Sequence, residues 1–196
     1  MTMLCSFRKY ATVPVGVHLD HSTREEDVCL ALDCGVDSIM VDGSHLPLHE
    51  NIAFTKRMVQ LAHARGVVVE AELGRLAGEE DGLSVSEKEA KMTDPDKVEY
   101  FLTETQVDLL AVTIGISSCV EAIYDPIFVL KTLLMACFRP IGNVHGKYKH
   151  PPALDFTRMA AIRAATRQAA VTMGGSPCIL VLHGASGLPN DIIATV

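Results

Sequence analysis

Two features that indicate particular partners are missing from this sequence: a basic cluster and a long apolar run. The 196 residues carry 17 Lys and Arg against 24 Asp and Glu, which gives a formal net charge of −7. An acidic chain without a basic patch is poorly suited to the phosphates of nucleic acid. We therefore expect no nucleic-acid partner.

Membrane and export signals are also missing. The longest apolar stretch, residues 127–138, is interrupted by Lys131 and is shorter than the roughly 20 residues that span a bilayer. Residues 1–11 contain Arg8 and Lys9 but no apolar core of a signal peptide. These absences predict a soluble, cytoplasmic protein with no membrane partner.

The cysteines lack the spacing of a metal or disulfide scaffold, because no C-x-x-C pair occurs among them. Scattered cysteines of this kind are typical of the reduced, mostly buried thiols of an intracellular protein. The six are Cys5, Cys29, Cys34, Cys119, Cys137 and Cys178.

What the sequence does contain is an alternation of apolar runs and helical patterns, in a chain that is 48% hydrophobic and long enough for one domain. The apolar runs lack polar alternation and are separated by helices, which predicts a parallel sheet in an α/β fold. The predicted strands are 13–19, 38–41, 67–69, 109–114 and 178–182.

Local signals place the predicted helices. The capping boxes Ser22-Thr23-Arg24-Glu25 and Ser84-Val85-Ser86-Glu87 each predict a helix start. Asp94-Pro95 predicts another, and Asp155 begins a last helix that runs to about Val171. One further helix has a single apolar face, made by Ile52, Thr55, Val59 and Ala62 and followed by Gly66.

Polar residues collect where the predicted strands end, which favours a (β/α) barrel with its active site at the carboxyl ends of the strands. His21, His145 and His183 are placed to converge on one metal, with Asp20 beside them to move a proton. Glu70 and Glu72 share one face of a strand, which is costly unless a cation or metal pairs with them.

Structural explanations compete with these assignments. A lone histidine at a strand end is more often a hydrogen-bonded surface residue, and we expect His18 to lie in the core or to support the site. Asp42 also suits a turn before Gly43. The turn 184–187 suits either a tight bend or a phosphate, because its backbone N–H groups are free. We assign no role to His45, His49, His63 or His150.

Five ordered motifs resemble the class II, zinc-dependent ketose-bisphosphate aldolases, the family of fructose- and tagatose-bisphosphate aldolases of glycolysis and related carbohydrate metabolism. The resemblance covers most of the chain. The motifs are Val15-Gly16-Val17-His18-Leu19-Asp20-His21, Ser38-Ile39-Met40-Val41-Asp42-Gly43-Ser44-His45-Leu46-Pro47, Val69-Glu70-Ala71-Glu72-Leu73-Gly74-Arg75-Leu76, Asn143-Val144-His145-Gly146 and Leu180-Val181-Leu182-His183-Gly184-Ala185-Ser186-Gly187.

The resemblance implies a lyase that cleaves a ketose 1,6-bisphosphate reversibly to dihydroxyacetone phosphate and an aldehyde such as glyceraldehyde 3-phosphate. It implies Zn²⁺ as cofactor and a phosphosugar as substrate. Because the family commonly forms dimers or tetramers, it also implies a homo-oligomer as one of the alternatives for the oligomeric state. The implied roles are Asp20 as acid/base at the C4 hydroxyl; His21, His145 and His183 as zinc ligands; Asp42 and Glu72 as supporting or alternative metal ligands; and Gly146, Gly184 and Ser186 as contacts of the dihydroxyacetone-phosphate part.

The chain departs from the family pattern in three places. Ala77 stands where the family usually has Gly. The five predicted strands match strands three to seven of the eight-stranded family barrel, so we expect one domain, 1–196, that is a partial (β/α)8 TIM barrel incomplete at both ends. Residues 116–142 are a 27-residue insertion ahead of His145. We interpret the insertion as a retained intron translated in frame, with a genuine loop or helix as the alternative.

Two further functions are considered. One is an inactive aldolase fragment that at most binds zinc or phosphosugar, or associates with intact subunits. The other is a metal-dependent hydrolase, which uses similar His and Asp sets. The hydrolase does not account for residues 70–74 together with the His-Gly turns.

Overall fold

The computed structural model describes residues 2–75, 78–80, 83–85, 92–116 and 153–183. A short 3-10 helix, Arg8–Tyr10, follows the first α-helix. The α-helices are α1 (Thr2–Phe7), α2 (Glu25–Cys34), α3 (Leu48–His63), α4 (Pro95–Thr105) and α5 (Phe156–Met173). The strands are β1 (His18–Ser22), β2 (Ser38–Val41), β3 (Val68–Leu73), β4 (Gly78–Glu80), β5 (Leu83–Val85), β6 (Leu109–Val112), β7 (Gly115–Ile116), β8 (Ala153–Leu154) and β9 (Ile179–Val181).

One five-stranded sheet, in the order β1-β2-β3-β6-β9, organises the described part of the chain. Each neighbouring pair within it is parallel, as the apolar runs predict. Parallel neighbours need a crossover, and helices α2 to α5 lie between the successive strands of this sheet. The predicted α/β class with a parallel sheet is confirmed.

The register divides β3 between two environments. Glu70 pairs with Met40 and Leu109, and Glu72 pairs with Ala111, so both carboxylates lie on one face of the sheet. Val69 and Ala71 lie on the opposite face and belong to the core between sheet and helices. Fully buried core side chains of this size contribute about 1.5–3 kcal/mol each. The largest of them are Phe101, Ile39, Met58, Leu102, Leu110, Ile114 and Ile162.

Helices α2 and α4 end in the same way. Each is followed by a left-handed residue, Gly35 with φ 78° and Gln106 with φ 58°. This conformation stops a helix and turns the chain back toward the sheet. It strains Gln106 more than Gly35, because glutamine carries a Cβ.

An aspartate stands two residues after each of these left-handed residues, at the amino edge of the sheet. Asp37 accepts the backbone N–H of Val17 at 2.7 Å, and Asp108 accepts that of Val69 at 2.8 Å. Each carboxylate therefore satisfies a main-chain donor on the neighbouring strand. We call Asp37 and Asp108 the amino-edge aspartates.

Two strands differ from the prediction by more than two residues at a boundary. The strand predicted at 13–19 is His18–Ser22, because Val17 bonds to Asp37 in the preceding loop and the ladder with β2 begins at His18. The strand predicted at 67–69 continues to Leu73, since its two charged residues face partners that an apolar run cannot reveal.

Neither predicted capping box caps a helix. Ser22 is buried at the end of β1, where its hydroxyl donates to the carbonyl of Arg24, and α2 begins only at Glu25. Pairing with Val41 holds Ser22 in the sheet and overrides the local signal. Ser84 lies in β5, opposite Glu79, and the remainder of that predicted helix start lies outside the described residues.

The other helix signals are confirmed. The carboxylate of Asp94 accepts the N–H of Asp96 with Pro95 at the first helical position, and that of Asp155 accepts the N–H of Arg158. Ile52, Thr55, Val59 and Ala62 are the buried face of α3, as their spacing predicts.

The described flanks of the 116–142 segment are paired with each other. Strands β7 and β8 form an antiparallel pair in which Gly115 lies opposite Leu154 and Ile116 opposite Ala153. The rest of the proposed insertion lies outside the described residues. Among the helices of the described ranges, none has the length and apolarity required to cross a membrane.

Candidate metal centre and active site

The first functional side chain is His21, near the end of β1. The register with β2 is irregular between Leu19 and Ser22, and His21 has a φ of 36°, which is strained for a residue with a side chain. The irregularity directs the buried ring to the carboxyl edge of the sheet, where Nδ1 lies 3.0 Å from Oδ2 of Asp42.

His183 lies two residues after β9, the edge strand at the opposite end of the sheet from β1. Its Nδ1 lies 3.2 Å from Nε2 of His21, and its Nε2 lies 2.7 Å from Oε1 of Glu70. The two rings are nearly perpendicular, with centroids 5.0 Å apart. Each imidazole thus directs one nitrogen at the other ring and holds a carboxylate with its second nitrogen.

This arrangement fits a zinc ion. Two nitrogens bound tetrahedrally at 2.0–2.1 Å are separated by about 3.3 Å, close to the 3.2 Å between His21 and His183. Metal-bound histidines usually donate their second N–H to a carboxylate, which fixes the tautomer, as Asp42 and Glu70 are placed to do. One ligand atom each from Asp20, His21 and His183 lie within 4.8 Å of one another.

Asp20 stands at the rim of this set. Its Oδ1 is 3.9 Å from Nε2 of His21, on the side of the ring that faces His183. The structure therefore brings Asp20 next to the candidate metal position, where a carboxylate can bind the ion or exchange a proton with a bound ligand.

Asp42 and Glu72 lie behind His21. Glu72 Oε2 is 3.7 Å from His21 Nδ1, and one ligand atom from each of the three residues falls within the same 4.8 Å limit. Burial by itself raises the pKa of Asp42, but hydrogen bonds from His21 and Ser44 outweigh it and lower the pKa to about 2. Asp42 is therefore an anion at neutral pH and stabilises positive charge on His21 or on a metal.

Glu70 is a site residue that the predicted site omits. The sequence indicates only that Glu70 and Glu72 share a face and need a cationic partner or metal. It gives no way to pair Glu70 with His183, which is 113 residues away. The available signal in the sequence was that Glu70 and Glu72 are two residues apart on one strand.

Asn51 of α3 is a second omission. Its amide donates to the carbonyl of Glu72 at 3.1 Å and its Oδ1 accepts from Thr55 at 3.0 Å. A Cβ on Gly43 would lie 3.2 Å from the backbone of Asn51 and still closer to its amide. Gly43 and Asn51 therefore fit together directly behind Asp42, and no sequence pattern indicated their contact.

The prediction for His18 is wrong in one respect. Its side chain is exposed, not part of the core, and its Nδ1 lies 2.8 Å from Oγ of Ser38. Desolvation lowers the pKa of His18 and the charges of Glu70 and Asp20 oppose this, so His18 lies close to the carboxylates of the site and the alternative of a supporting position is retained.

Four predicted site residues lie outside the described part of the chain. These are His145 as the third zinc ligand and Gly146, Gly184 and Ser186 as substrate contacts, and the Ala77 departure lies outside it as well. The described ranges bring together Asp20, His21, His183, Asp42 and Glu72.

A parallel α/β sheet that gathers histidines and carboxylates at the carboxyl ends of its strands defines a protein of the barrel type with a candidate metal centre. The family model described as fructose-bisphosphate aldolase class-II matches residues 1–127 and 127–196. The chain belongs to the class II fructose-bisphosphate aldolase family.

Individual relatives agree. The chain is 38% identical over 186 residues to a fructose-bisphosphate aldolase of Helicobacter pylori, covering 94% of this chain and 48% of that protein. It is 41% identical over 180 residues to a 6-phospho-5-dehydro-2-deoxy-D-gluconate aldolase of Shouchella clausii, covering 92% of this chain and 48% of that protein.

A solved structure supports the fold. The crystal structure of the YdjI aldolase from Escherichia coli K12 matches with a TM-score of 0.64 and 32% identity, covering 98% of this chain and 53% of that one. The chain thus spans about half the length of the relatives it matches. The five-stranded sheet is a partial barrel of this family, as predicted.

Proposed function

We propose that the protein is a zinc-dependent aldolase that reversibly cleaves a ketose 1,6-bisphosphate of the fructose or tagatose type. The products would be dihydroxyacetone phosphate and an aldehyde such as glyceraldehyde 3-phosphate. The observation that carries the proposal is the facing pair of His21 Nε2 and His183 Nδ1, 3.2 Å apart, with a carboxylate behind each ring.

In this proposal His21, His145 and His183 hold the ion, while Asp42 and Glu72 orient His21. Glu70 orients His183 through the 2.7 Å contact with its Nε2. Bound zinc would supply a Lewis acid for the ketone oxygen of the substrate. Three imidazoles leave a coordination position open for that oxygen.

Asp20 is the proposed acid/base. In the cleavage direction its carboxylate takes the proton of the C4 hydroxyl while the C3–C4 bond breaks, so that C4 becomes the aldehyde carbon and the electron pair remains with the dihydroxyacetone-phosphate half. In the reverse direction Asp20 returns the proton. Gly146, Gly184 and Ser186 are the proposed contacts of the dihydroxyacetone-phosphate part.

The choice of sugar is a separate question, because the relatives carry different names: fructose-bisphosphate aldolase and 6-phospho-5-dehydro-2-deoxy-D-gluconate aldolase. We propose a ketose bisphosphate as the substrate. Cleavage rates measured in parallel on fructose 1,6-bisphosphate, tagatose 1,6-bisphosphate and the deoxygluconate phosphate would test it, and a clear preference for the last would overturn it.

The second candidate is a catalytically inactive chain that binds zinc or phosphosugar, or associates with intact subunits. The observation that favours it is the match to only about half of each relative. A homo-oligomer and a cytoplasmic location are further predictions. Light scattering of the purified chain checks the first, and fractionation of the native cells checks the second.

The test is zinc content per chain together with bisphosphate cleavage, measured on the purified chain, on His183→Ala and on His49→Ala. His49 is an exposed histidine of α3 and serves as the matched control. We expect about one zinc in the parent and in His49→Ala, with zinc and cleavage both lost in His183→Ala. A folded parent without zinc would contradict the metal centre, and zinc without cleavage would favour the second candidate.

A further inference from the structure

A cavity of about 660 Å³ lies beside the candidate metal centre, between the segment after β2 and the segment after β3. This volume is within the roughly 300–1,000 Å³ typical of sites for small molecules. Ser44, His45, Leu48, Arg75, Asp94 and Lys97 are among its lining residues, whereas Asp20, His21 and His183 are not. The cavity is therefore separate from the three members of the candidate metal centre that lie in the described ranges.

The charged groups of the cavity do not cancel. Lys97 Nζ lies 3.0 Å from Oδ2 of Asp94, and this contact lowers the pKa of the Asp94 carboxyl. The pair is therefore neutral as a unit. The guanidinium of Arg75 is half-buried and makes no hydrogen bond or ion pair with another residue of the described ranges. Arg75 is therefore the cation without a paired anion among the described lining residues of the cavity.

The start of helix α3 adds to the positive potential. Pro47 is its N-cap and, within the described ranges, provides no side-chain hydrogen bond, while Pro47 and Leu48 line the cavity. The first N–H groups of a helix lack partners inside the helix, and their aligned dipoles favour an anion. Helix α3 has 16 residues, enough for this effect to be developed.

We propose that this cavity binds the phosphate group of a small phosphorylated molecule. Arg75 would be the principal cation, and the backbone N–H groups at the N-terminus of α3 would be the second donor. A guanidinium matches two phosphate oxygens at once, which a lone ammonium cannot do. The apolar walls, which include Leu46, Leu73 and Met92, suit the carbon part of the ligand. Orthophosphate alone fills little of the volume, so the ligand is a phosphate ester.

Ser44 links the cavity to the residues of the metal centre. The N–H of Ser44, a lining residue, donates to Oδ1 of Asp42 at 2.9 Å, and the other oxygen of Asp42 holds His21. A ligand in the cavity would therefore contact Ser44, which is hydrogen-bonded to Asp42, the residue that contacts His21.

The experiment is calorimetric titration of the full chain with glycerol 3-phosphate and, separately, with inorganic phosphate. Arg75→Gln removes the principal cation, and Arg167→Gln removes an exposed arginine of α5 as the charge-matched control. Ser186→Ala tests whether the signal comes from the proposed substrate contacts. Thermal melting of each variant shows that it is folded.

We expect Arg75→Gln to weaken binding of the ester by at least about tenfold, because a charge-assisted contact is lost, while Arg167→Gln binds as the parent does. Ser186→Ala should affect only the binding to the proposed substrate contacts and leave the binding that depends on Arg75 in place. Amide resonances of Ser44 and Leu48 in the parent should shift on titration, a readout that requires no variant. Tighter binding of the ester than of orthophosphate is expected.

Three results would overturn the proposal: no binding by the parent, equal loss in Arg75→Gln and Arg167→Gln, or loss in Ser186→Ala with Arg75→Gln unaffected. None of these readouts involves aldol cleavage. The cavity proposal and the proposed function can therefore fail independently.

Discussion

The two edges of the sheet use the same side-chain type for different purposes. At the amino edge, Asp37 and Asp108 are nearly half exposed, and each accepts a main-chain N–H of the adjacent strand. At the carboxyl edge, the side chains of Asp42, Glu70 and Glu72 are no more than 12% exposed and face imidazoles.

The difference separates carboxylates that stabilise the fold from carboxylates that support a ligand site. A carboxylate that satisfies a backbone donor contributes to stability, because the unpaired N–H would otherwise be buried at a cost. A buried carboxylate whose partner is a histidine loses part of the gain from that contact to its own desolvation. Its presence is better explained by what the histidine binds.

The largest expected effect separates Glu70, a residue of β3 that contacts His183, from Asp108, which accepts the N–H of the neighbouring Val69. Glu70→Ala should weaken zinc binding by about 10–100-fold, because the tautomer and orientation of His183 are no longer fixed. Asp108→Ala should leave zinc affinity unchanged and lower the free energy of unfolding by about 1–3 kcal/mol, because the N–H of Val69 loses its acceptor.

Competition with a zinc chelator and urea unfolding measure the two quantities on both variants. If Asp108→Ala, still folded, loses zinc as strongly as Glu70→Ala does, the two edges are not functionally distinct and the comparison fails.

A second prediction concerns the close fit behind Asp42. Gly43→Ala should destabilise the protein by about 1–3 kcal/mol, since its Cβ meets the backbone and amide of Asn51. Gly16→Ala is the matched control at the amino edge, where an added Cβ has no described neighbour within 4 Å. Chemical denaturation of both variants should show a loss for Gly43→Ala only, and equal losses would contradict the steric explanation.

The smallest effect is the acid sensitivity of Asp42. Its pKa falls from 3.8 to about 2 on folding, so the folded state favours the ionised form. The stabilisation is complete above about pH 4 and is lost as the pH falls toward 2, an amount of about 2 kcal/mol.

Unfolding of the zinc-free parent and of Asp42→Asn between pH 2 and pH 6 measures this contribution. The difference between the two should shrink as the pH falls through that window. A difference that is independent of pH would show that the Asp42 carboxyl is not stabilised as an anion by its hydrogen bonds.

The sequence predicted the elements that local chemistry decides. Asp94 and Asp155 cap helices as predicted, because a cap needs only the next three residues. The order of strands and helices was also predictable from the apolar runs. The Ser22 capping box failed because pairing with Val41, a long-range contact, took that residue into the sheet.

The site was predictable in its residue types and less so in its pairings. That His21 and His183 meet follows from the rule that the carboxyl ends of parallel strands share one edge. The partners of the rings do not follow from it. Glu70 and Glu72 are alike in sequence, and only the register shows that Glu70 contacts His183 while Glu72 lies near His21.

The short antiparallel pair of β7 and β8 has a consequence for the proposed insertion. It holds Ile116, the first residue of the 116–142 segment, opposite Ala153. A chain without residues 116–142 would have Asn143 directly after Gly115, in the place of Ile116. Loss of the segment would therefore also change one of the two residue pairs of this ladder.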